Sequence, residues 1–449
     1  MVRYERTRSS VAGGAPDRSS AGQPLPSDQA APASPAEPGA KEPPHPSAKS
    51  LRGLDWFIFF LADVQTGFGP FVAVYLTSQK WTQVDIGLVL TSAGFASLLC
   101  QVPAGALVDA ARSERFVAGA ALATIALAAL AYSSWPIFPV VLMAALLHAL
   151  ASCVLGPCIV AITLGLVGHA AMGERLGRNA RFAAIGNGVA AAVMGACGYV
   201  FGPRAVFLVT AALFIPTLLA LSRIRPVEVD PERAHGGPQA TTVVTFPTGL
   251  STMLRNRPLL ILGVCVMLFH LGNGAMLPLV GSVVTTRASE WATILIAACI
   301  VIPQLVVAVV SPWVGRQAQI WGRRRFLLLA FAALPIRGLL FAVVTNPYAL
   351  VAVQVLDGLT ACALGIMVPL MIADLTRGTG RFSLAQGIVG TAVGIGASIS
   401  PTLAGYLTDN FGASTGFLGL ALSGSIGLVC VWALMPETQP NRKPQPLNQ

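Results

Sequence analysis

Five ionisable side chains of this chain, Asp63, His148, His270, Arg337 and Asp357, stand inside long apolar stretches. Withdrawing such a group from water costs a few kcal/mol or more, so each marks a paired charge or a functional group. Arg337 lies about eight residues before the end of its stretch and Asp357 about ten after the start of the next, at matching depth in an antiparallel helix pair. An Arg337–Asp357 pair follows, either as a fixed strut or as a charge pair broken and remade with a substrate or a proton. Asp63 has no basic residue at a corresponding depth, and a carboxylate there suits the uptake and release of a proton or the binding of a cation, the alternative being a helix–helix hydrogen bond. His148 and His270 stand near the middle of their stretches. An isolated histidine is ordinarily a satisfied packing residue, and the alternative is a proton relay or a substrate contact. These five are the proton-coupling candidates.

Amides accompany them. Gln65 and Asn273 each precede a proline, Pro70 and Pro278, by five residues, with glycines nearby. Gly and Pro loosen a helix and free carbonyls that only a cavity or a neighbouring helix can satisfy. Gln65 and Asn273 therefore mark the expected solute path, with Asn187, Gln304, Gln354 and Gln386 as weaker candidates. No Gly-x-x-x-x-Gly-Lys-Ser/Thr loop, Gly-x-Ser-x-Gly elbow, His-x-x-x-His pair or Asp-rich motif is present. The eight cysteines all fall within apolar stretches and read as small packing residues rather than disulfide or zinc ligands. We expect no enzyme activity, no cofactor and no metal.

The elements that must position these groups follow from composition. Hydrophobic residues make up 54% of the 449 positions and charged residues only 11%, against roughly a quarter charged in an ordinary soluble domain. Apolar runs long enough to cross a bilayer as helices recur at 54–76, 85–108, 116–134, 137–162, 182–201, 205–222, 258–284, 291–315, 326–344, 347–373, 382–407 and 414–435. The expectation is an all-α integral membrane protein of twelve transmembrane helices. Residues 1–50 are rich in Pro, Ala, Ser and Gly and read as a disordered tail with no removable signal; 437–449 is a second tail. Of the 29 Lys and Arg, 25 fall on one side of this topology; only Lys80, Arg204 and Arg287 lie opposite, and Arg337 lies within a helix. The net charge of +10 thus follows membrane sidedness rather than a nucleic-acid surface. The positive-inside rule places both termini in the cytoplasm and the chain in a cytoplasmic (inner) membrane. Arg outnumbers Lys, and Ala and Gly abound, as in a bacterium with a GC-rich genome.

The chain also repeats itself. Residues 148–156 and 357–365 share Leu150/Leu359, Cys153/Cys362, Leu155/Leu364 and Gly156/Gly365 at an offset of 209, and Pro103 meets Pro312 at the same offset. Arg181-Phe182 and Arg381-Phe382 open the fifth and eleventh spans at an offset of 200, read as a shorter loop in the second copy. Two pseudo-equivalent six-helix halves, 51–222 and 258–436, are expected, joined by a cytoplasmic linker at 223–257.

The loop after the second span, Gly105-Ala-Leu-Val-Asp109-Ala-Ala-Arg112-Ser-Glu-Arg115, resembles the signature of the major facilitator superfamily, and the resemblance extends over 51–436. Its second copy, from Gly315 through Gln319 to Gly322-Arg323-Arg324-Arg325, has Gln where the first has Asp. The resemblance implies a conformational latch on the cytoplasmic side formed by Gly105, Asp109, Arg112, Gly315, Arg323 and Arg324. Physically, Asp109 at a helix end can pair with a basic residue or with the N-terminus of another helix, holding that side closed while the protein faces outward. The bland alternative is a solvated loop that only sets topology. The glycines of spans five and eleven resemble the superfamily's antiporter helix only loosely and are explained as well by close packing.

With no ATP chemistry, the expected function is secondary active transport of a small organic solute or drug, coupled to protons and directed outward. The nearest alternative is a symporter importing a metabolite; a membrane-embedded lipid enzyme or a non-transporting sensor is further off. The expected partners are a small solute, protons and the bilayer, with no nucleic acid, and the chain is expected to be a monomer.

Overall fold

The structure, a computed structural model, describes residues 46–66, 72, 75–76, 78–237, 246–287 and 292–439; the side chains of Asp63 and Gln65 lie outside this description. Described residues form helices and the turns between them. In the first part of the chain these are α1 (Ala48–Thr66), α2 (Gln83–Ala110), α3 (Glu114–Ser134), α4 (Phe138–Phe201), α5 (Arg204–Ser222), a 3-10 turn (Pro226–Glu228) and α6 (Pro231–Ala234). There follow α7 (Phe246–Leu254), α8 (Arg257–Asn273), α9 (Met276–Arg287), α10 (Ala292–Trp321), α11 (Arg323–Val343), α12 (Pro347–Val353), α13 (Val355–Leu375), α14 (Phe382–Phe411) and α15 (Ala413–Leu434).

Among the described residues ten helical segments are long and apolar enough to cross a membrane. One of them, on α4, is two helices merged across a kink at Gly168, whose φ of 66° only glycine adopts readily. Large apolar side chains such as Leu99, Phe116 and Val309 lie well exposed on the outside of the bundle, as a lipid-facing surface requires. The buried apolar residues form two clusters. One runs from Leu54 to Phe207 and takes in Ile224, Val229 and Ala234; the other is centred on α8, α10, α11, α13, α14 and α15. Helix α2 packs on α14, and α10 packs on α4, so each cluster meets the other through these two junctions.

Two sequence expectations change here. The segment 163–181 was expected to join two spans as a loop. Instead it is helical apart from Gly168, and two of its arginines reach the buried Asp55: Arg175 Nη2, itself buried, lies 2.7 Å from Asp55 Oδ1, and Arg178 Nη2, on a half-exposed side chain, lies 2.6 Å from Asp55 Oδ2. The register of the repeat also differs. Gly173 and Gly177 pack on Gly315 and Ser311, whereas Ser383 and Gly387 pack on Gly105 and Gln101, so corresponding residues stand 210 apart and the Arg-Phe identity at 181 and 381 is coincidental. Spans seven and ten each remain one crossing, with joints at Gly274–Ala275 between α8 and α9 and at Gln354 between α12 and α13, where Gly274 and Gln354 keep helical φ values of −59° and −66°.

Residues 226–237 of the linker fold against the end of the bundle that carries the basic loops. Val229 and Ala234 are buried in the first cluster, and the Asp230 amide donates to the Gly165 carbonyl at 3.2 Å. Glu228 Oε2 accepts from the Ser47 amide and hydroxyl, both at 2.9 Å, which ties the start of α1 to the linker. Burial alone would push the Glu228 carboxyl up. The hydrogen bonds from Ser47 and Ser50, with Arg225 beside them, outweigh it and hold the group below the usual carboxylate range.

A carboxyl with a depressed folded-state pKa contributes stability that is present above its unfolded-state value and is lost as pH falls through the folded one. Glu228→Gln should lower the melting temperature in detergent at pH 7, and the difference from wild type should shrink as the pH is taken down through the carboxylate range. An equal difference at every pH would show that the charge of Glu228 contributes nothing.

Candidate functional site

Asp357 and Arg337 meet beside a cavity of about 390 Å³ between α8, α13 and α14. Its wall is mostly apolar, with Phe269, Leu364, Val368 and Val393 among the lining residues, and its polar groups are His270, Asn273, Asp357 and Thr360. Arg337 stands behind this wall on α11, with only 2% of its side chain exposed. It donates through Nη1 to Asp357 and through Nη2 to the Asn273 side-chain oxygen, and its Nε lies 3.3 Å from Met276 Sδ. A buried guanidinium thus orients one acid and one amide that face the cavity. Asp357 remains 26% exposed, so its carboxylate is both a partner of Arg337 and part of the cavity surface.

The joint between α8 and α9 is part of this site. Gly274 sits where a Cβ would meet the His270 carbonyl and Ser400, each at 3.1 Å, and the Ala275 amide is taken up by Ser400 Oγ at 2.9 Å. The Gly274 amide still donates to the His270 carbonyl at 2.9 Å, so the chain stays helical beside Asn273 while Ser400 takes up the Ala275 amide. Of the other polar candidates with described side chains, none lines this cavity. His148 lies on α4 with its Nε2 3.4 Å from Ser152 Oγ, Asn187 is half-buried on the same helix, Gln354 is buried at the joint of α12 and α13, and Gln386 is half-buried on α14.

The basic end of the bundle holds a second constellation. Asp109, at the last turn of α2, accepts from the Ser383 amide at 2.9 Å through Oδ1 and from the Leu384 amide at 2.7 Å through Oδ2. These are free amides of the first turn of α14, where a carboxylate is also favoured by the helix dipole. The approach depends on Gly105, because a Cβ there would lie 2.1 Å from the Ser383 carbonyl oxygen. Arg112 is exposed and stands apart from this contact.

The second copy is built differently. A Cβ on Gly315 would lie 2.3 Å from the Gly173 carbonyl, so the helices approach as closely, but Gln319 accepts from Arg323 Nη2 at 3.1 Å and caps no helix. The arm of α4 after Gly168 starts one turn earlier than its counterpart, so the amides opposite Gln319 lie inside a helix. Arg323 is 2% exposed and its Nε lies 3.0 Å from Asp374 Oδ2. Its own amide and that of Arg324 donate to Glu437, at 2.9 and 3.1 Å, so the C-terminal segment closes the start of α11. Sequence reasoning passed over Asp55, Glu114, His235, Asp374 and Glu437. The four acids sit at span edges and His235 in the linker, where such groups look like solvated loop residues.

The Major Facilitator Superfamily is the family whose model matches the chain, at residues 56–316 and again at 265–449. An uncharacterised MFS-type transporter of Mycobacterium tuberculosis strain CDC 1551 / Oshkosh is 40% identical over 394 residues, covering 86% of this chain and 93% of that one; its counterpart in strain H37Rv matches equally. Among solved structures, the fucose:proton symporter FucP in the outward conformation aligns with a TM-score of 0.69 at 14% identity over 84% of this chain and 97% of its own. The proton:xylose symporter XylE aligns with a TM-score of 0.65, also at 14% identity, over 87% and 96%. At that identity the likeness is one of fold.

Two consequences can be measured. Removing one member of a buried pair strands the other, at roughly 3–5 kcal/mol when the survivor is fully buried. Asp357→Leu, which strands Arg337, should therefore destabilise more in thermal unfolding than Arg337→Met, which strands an acid already in touch with the cavity; the double variant should recover much of the loss. The reverse order would contradict the pairing. At the basic end, Gly105→Val should force α2 from α14, and a cysteine at Leu384, buried in wild type, should become reactive to a water-soluble thiol reagent. Unchanged labelling would mean that the approach is not needed to close this end.

Proposed function

The chain belongs to the major facilitator superfamily and is a multi-pass membrane transporter, and from that premise we propose that it exports a small, largely apolar organic solute by alternating access in exchange for protons. The observation that carries this reading is Asp357: its carboxylate lines the cavity and is also bonded to the buried Arg337. Protonating Asp357 removes its charge from Arg337, and binding of a solute beside it changes the same contact. One group thus responds to both ligands, which is what coupling requires. The apolar remainder of the wall favours a lipophilic solute, and this supports export over uptake of a sugar-like metabolite. The solved neighbours named as proton symporters make uptake the competing direction.

The basic end is assigned to the cytoplasm by the positive-inside rule, with both termini there, in the cytoplasmic membrane of a bacterium. On this assignment the Asp109 carboxylate on the first turn of α14 is the latch of the cytoplasmic side, and the structure corresponds to a state closed on that side. Gly105 and Gly315 permit the two close approaches, while Arg323 and Arg324 brace the second copy. His270 and Asn273 are assigned to the solute path, and Asp63 is kept as a second proton site.

The test is solute-driven proton flux in proteoliposomes under an imposed pH gradient, across a panel of lipophilic drugs and organic acids. Wild type should show flux whose sign gives exchange, and Asp357→Asn should lose coupling while still binding solute. Coupling intact in Asp357→Asn but lost in Asp63→Asn would move the proton site to α1, and co-directional flux would replace export by symport.

A further inference from the structure

The first turn of α14 has a third donor, and it is not met by α2. The Phe382 amide donates to the main-chain carbonyl of His235 at 3.3 Å, and one loop earlier the Gly378 amide donates to the Gly236 carbonyl. The first three amides of α14 are thus all finished by groups from outside its own half: two by Asp109 and one by the linker. Gly237 lies so close to Gly378 that a Cβ on it would approach the Gly378 Cα to 2.6 Å. The linker therefore lies across the latch as a strap.

What seats the strap is the His235 side chain. It is fully buried, and both ring nitrogens face acceptors: Nδ1 lies 2.7 Å from the Pro231 carbonyl, while Nε2 lies 3.3 Å from the Val108 carbonyl and 3.2 Å from Glu114 Oε1. A neutral imidazole has one donor nitrogen and one acceptor nitrogen, so it would turn a lone pair toward an acceptor here; the imidazolium satisfies both sides. Glu114 Oε1 is itself buried without another hydrogen-bond partner among the described residues, and the imidazolium supplies the charge that balances it. Val108 adjoins Asp109, so the ring holds the strap to the turn that carries the latch carboxylate.

Resting on the assignment of the basic end to a cytoplasmic gate, we propose that His235 is a proton-sensitive positioning residue of that gate: protonated, it seats the linker strap that completes the cap of α14, and deprotonated, it releases the strap. Charged and titratable groups surround it on every packed element. Asp109 on α2 and Glu114 on α3 are acids that favour the charged ring. Arg233 on the linker, and Arg377 and Arg381 before α14, are cations that oppose it, and Cys158 and His169 on α4 lie beside Glu114 and Arg233 respectively. Glu114 is the nearest of these and sets the sign. Loss of the ring proton loosens the gate, and its return holds the gate shut for as long as Asp109 stays ionised.

The test uses the full chain in nanodiscs, with spin labels on exposed basic-end positions of the two halves, Ser222→Cys and Arg325→Cys, after replacement of the native cysteines by alanine. The closed-to-open ratio should fall from pH 6 to pH 8, by up to about tenfold per pH unit, the limit for one proton bound only in the closed state. His235→Gln should abolish this pH response, and Glu114→Gln should shift it to lower pH. As a check needing no variant, the Phe382, Ser383 and Leu384 amides of wild type should lose hydrogen-exchange protection over the same pH range, after correction for intrinsic rates. A pH response unchanged in His235→Gln, or protection that does not vary with pH, overturns the proposal while leaving transport intact. A basic end that never opens, at any pH or with any solute, overturns both this proposal and the alternating-access reading.

Discussion

A helix leaves its first amides without partners of its own, and near a bilayer water cannot be relied on to supply them. In α14 all three are taken up from the other side of the molecule, by Asp109 and by the His235 carbonyl. The contact is therefore more than packing. Separating α2 from α14 exposes the donors of one and the carboxylate of the other at the same moment, and each must find water or a new partner. Closing restores three hydrogen bonds, two of them charge-assisted, one at each Asp109 oxygen, in a place where the helix dipole adds to them. The two glycine approaches, Gly105 on Ser383 and Gly315 on Gly173, let the backbones come close enough for this to happen.

The two copies of the motif show how one constraint is met in two ways. Where Asp109 caps a helix of the opposite half, Gln319 faces the interior of a helix that began a turn earlier, and so it has nothing to cap. The start of α11 is closed instead by Glu437, from the C-terminal segment of the same half. The first copy thus joins the halves, whereas the second braces one of them. On the proposed cycle, this asymmetry assigns the separable junction to α2 and α14.

Much of this was legible in the sequence, and the failures have physical causes. Long apolar runs identify spans because nothing else in a soluble protein looks like them, and Arg337 and Asp357 could be set at one depth by counting from span ends. Their convergence with Asn273 could not be read, since helix rotation is decided by packing. The arm after Gly168 was hidden because Glu174, Arg175, Arg178 and Arg181 lower its apolar character, although two of those arginines are satisfied by Asp55. The match of Arg181-Phe182 to Arg381-Phe382 misled for the same reason: identity of two residues carries less weight than the close approaches that only glycine permits. His235 looked like part of a polar connection, and nothing in its neighbourhood of sequence announces Glu114 or Val108 as partners.

The account turns on the junction of α2 and α14 opening once in every transport cycle. The direct measurement is to replace Asp109 and Ser383 by cysteines in a chain otherwise free of cysteine, reconstitute it, and follow solute transport before oxidation, after oxidation and after reduction. The account predicts that forming the disulfide stops transport and that reducing it restores transport. Transport that continues at full rate with the disulfide formed would mean that this junction never needs to part, and the reading of Asp109 as a latch would fall with it.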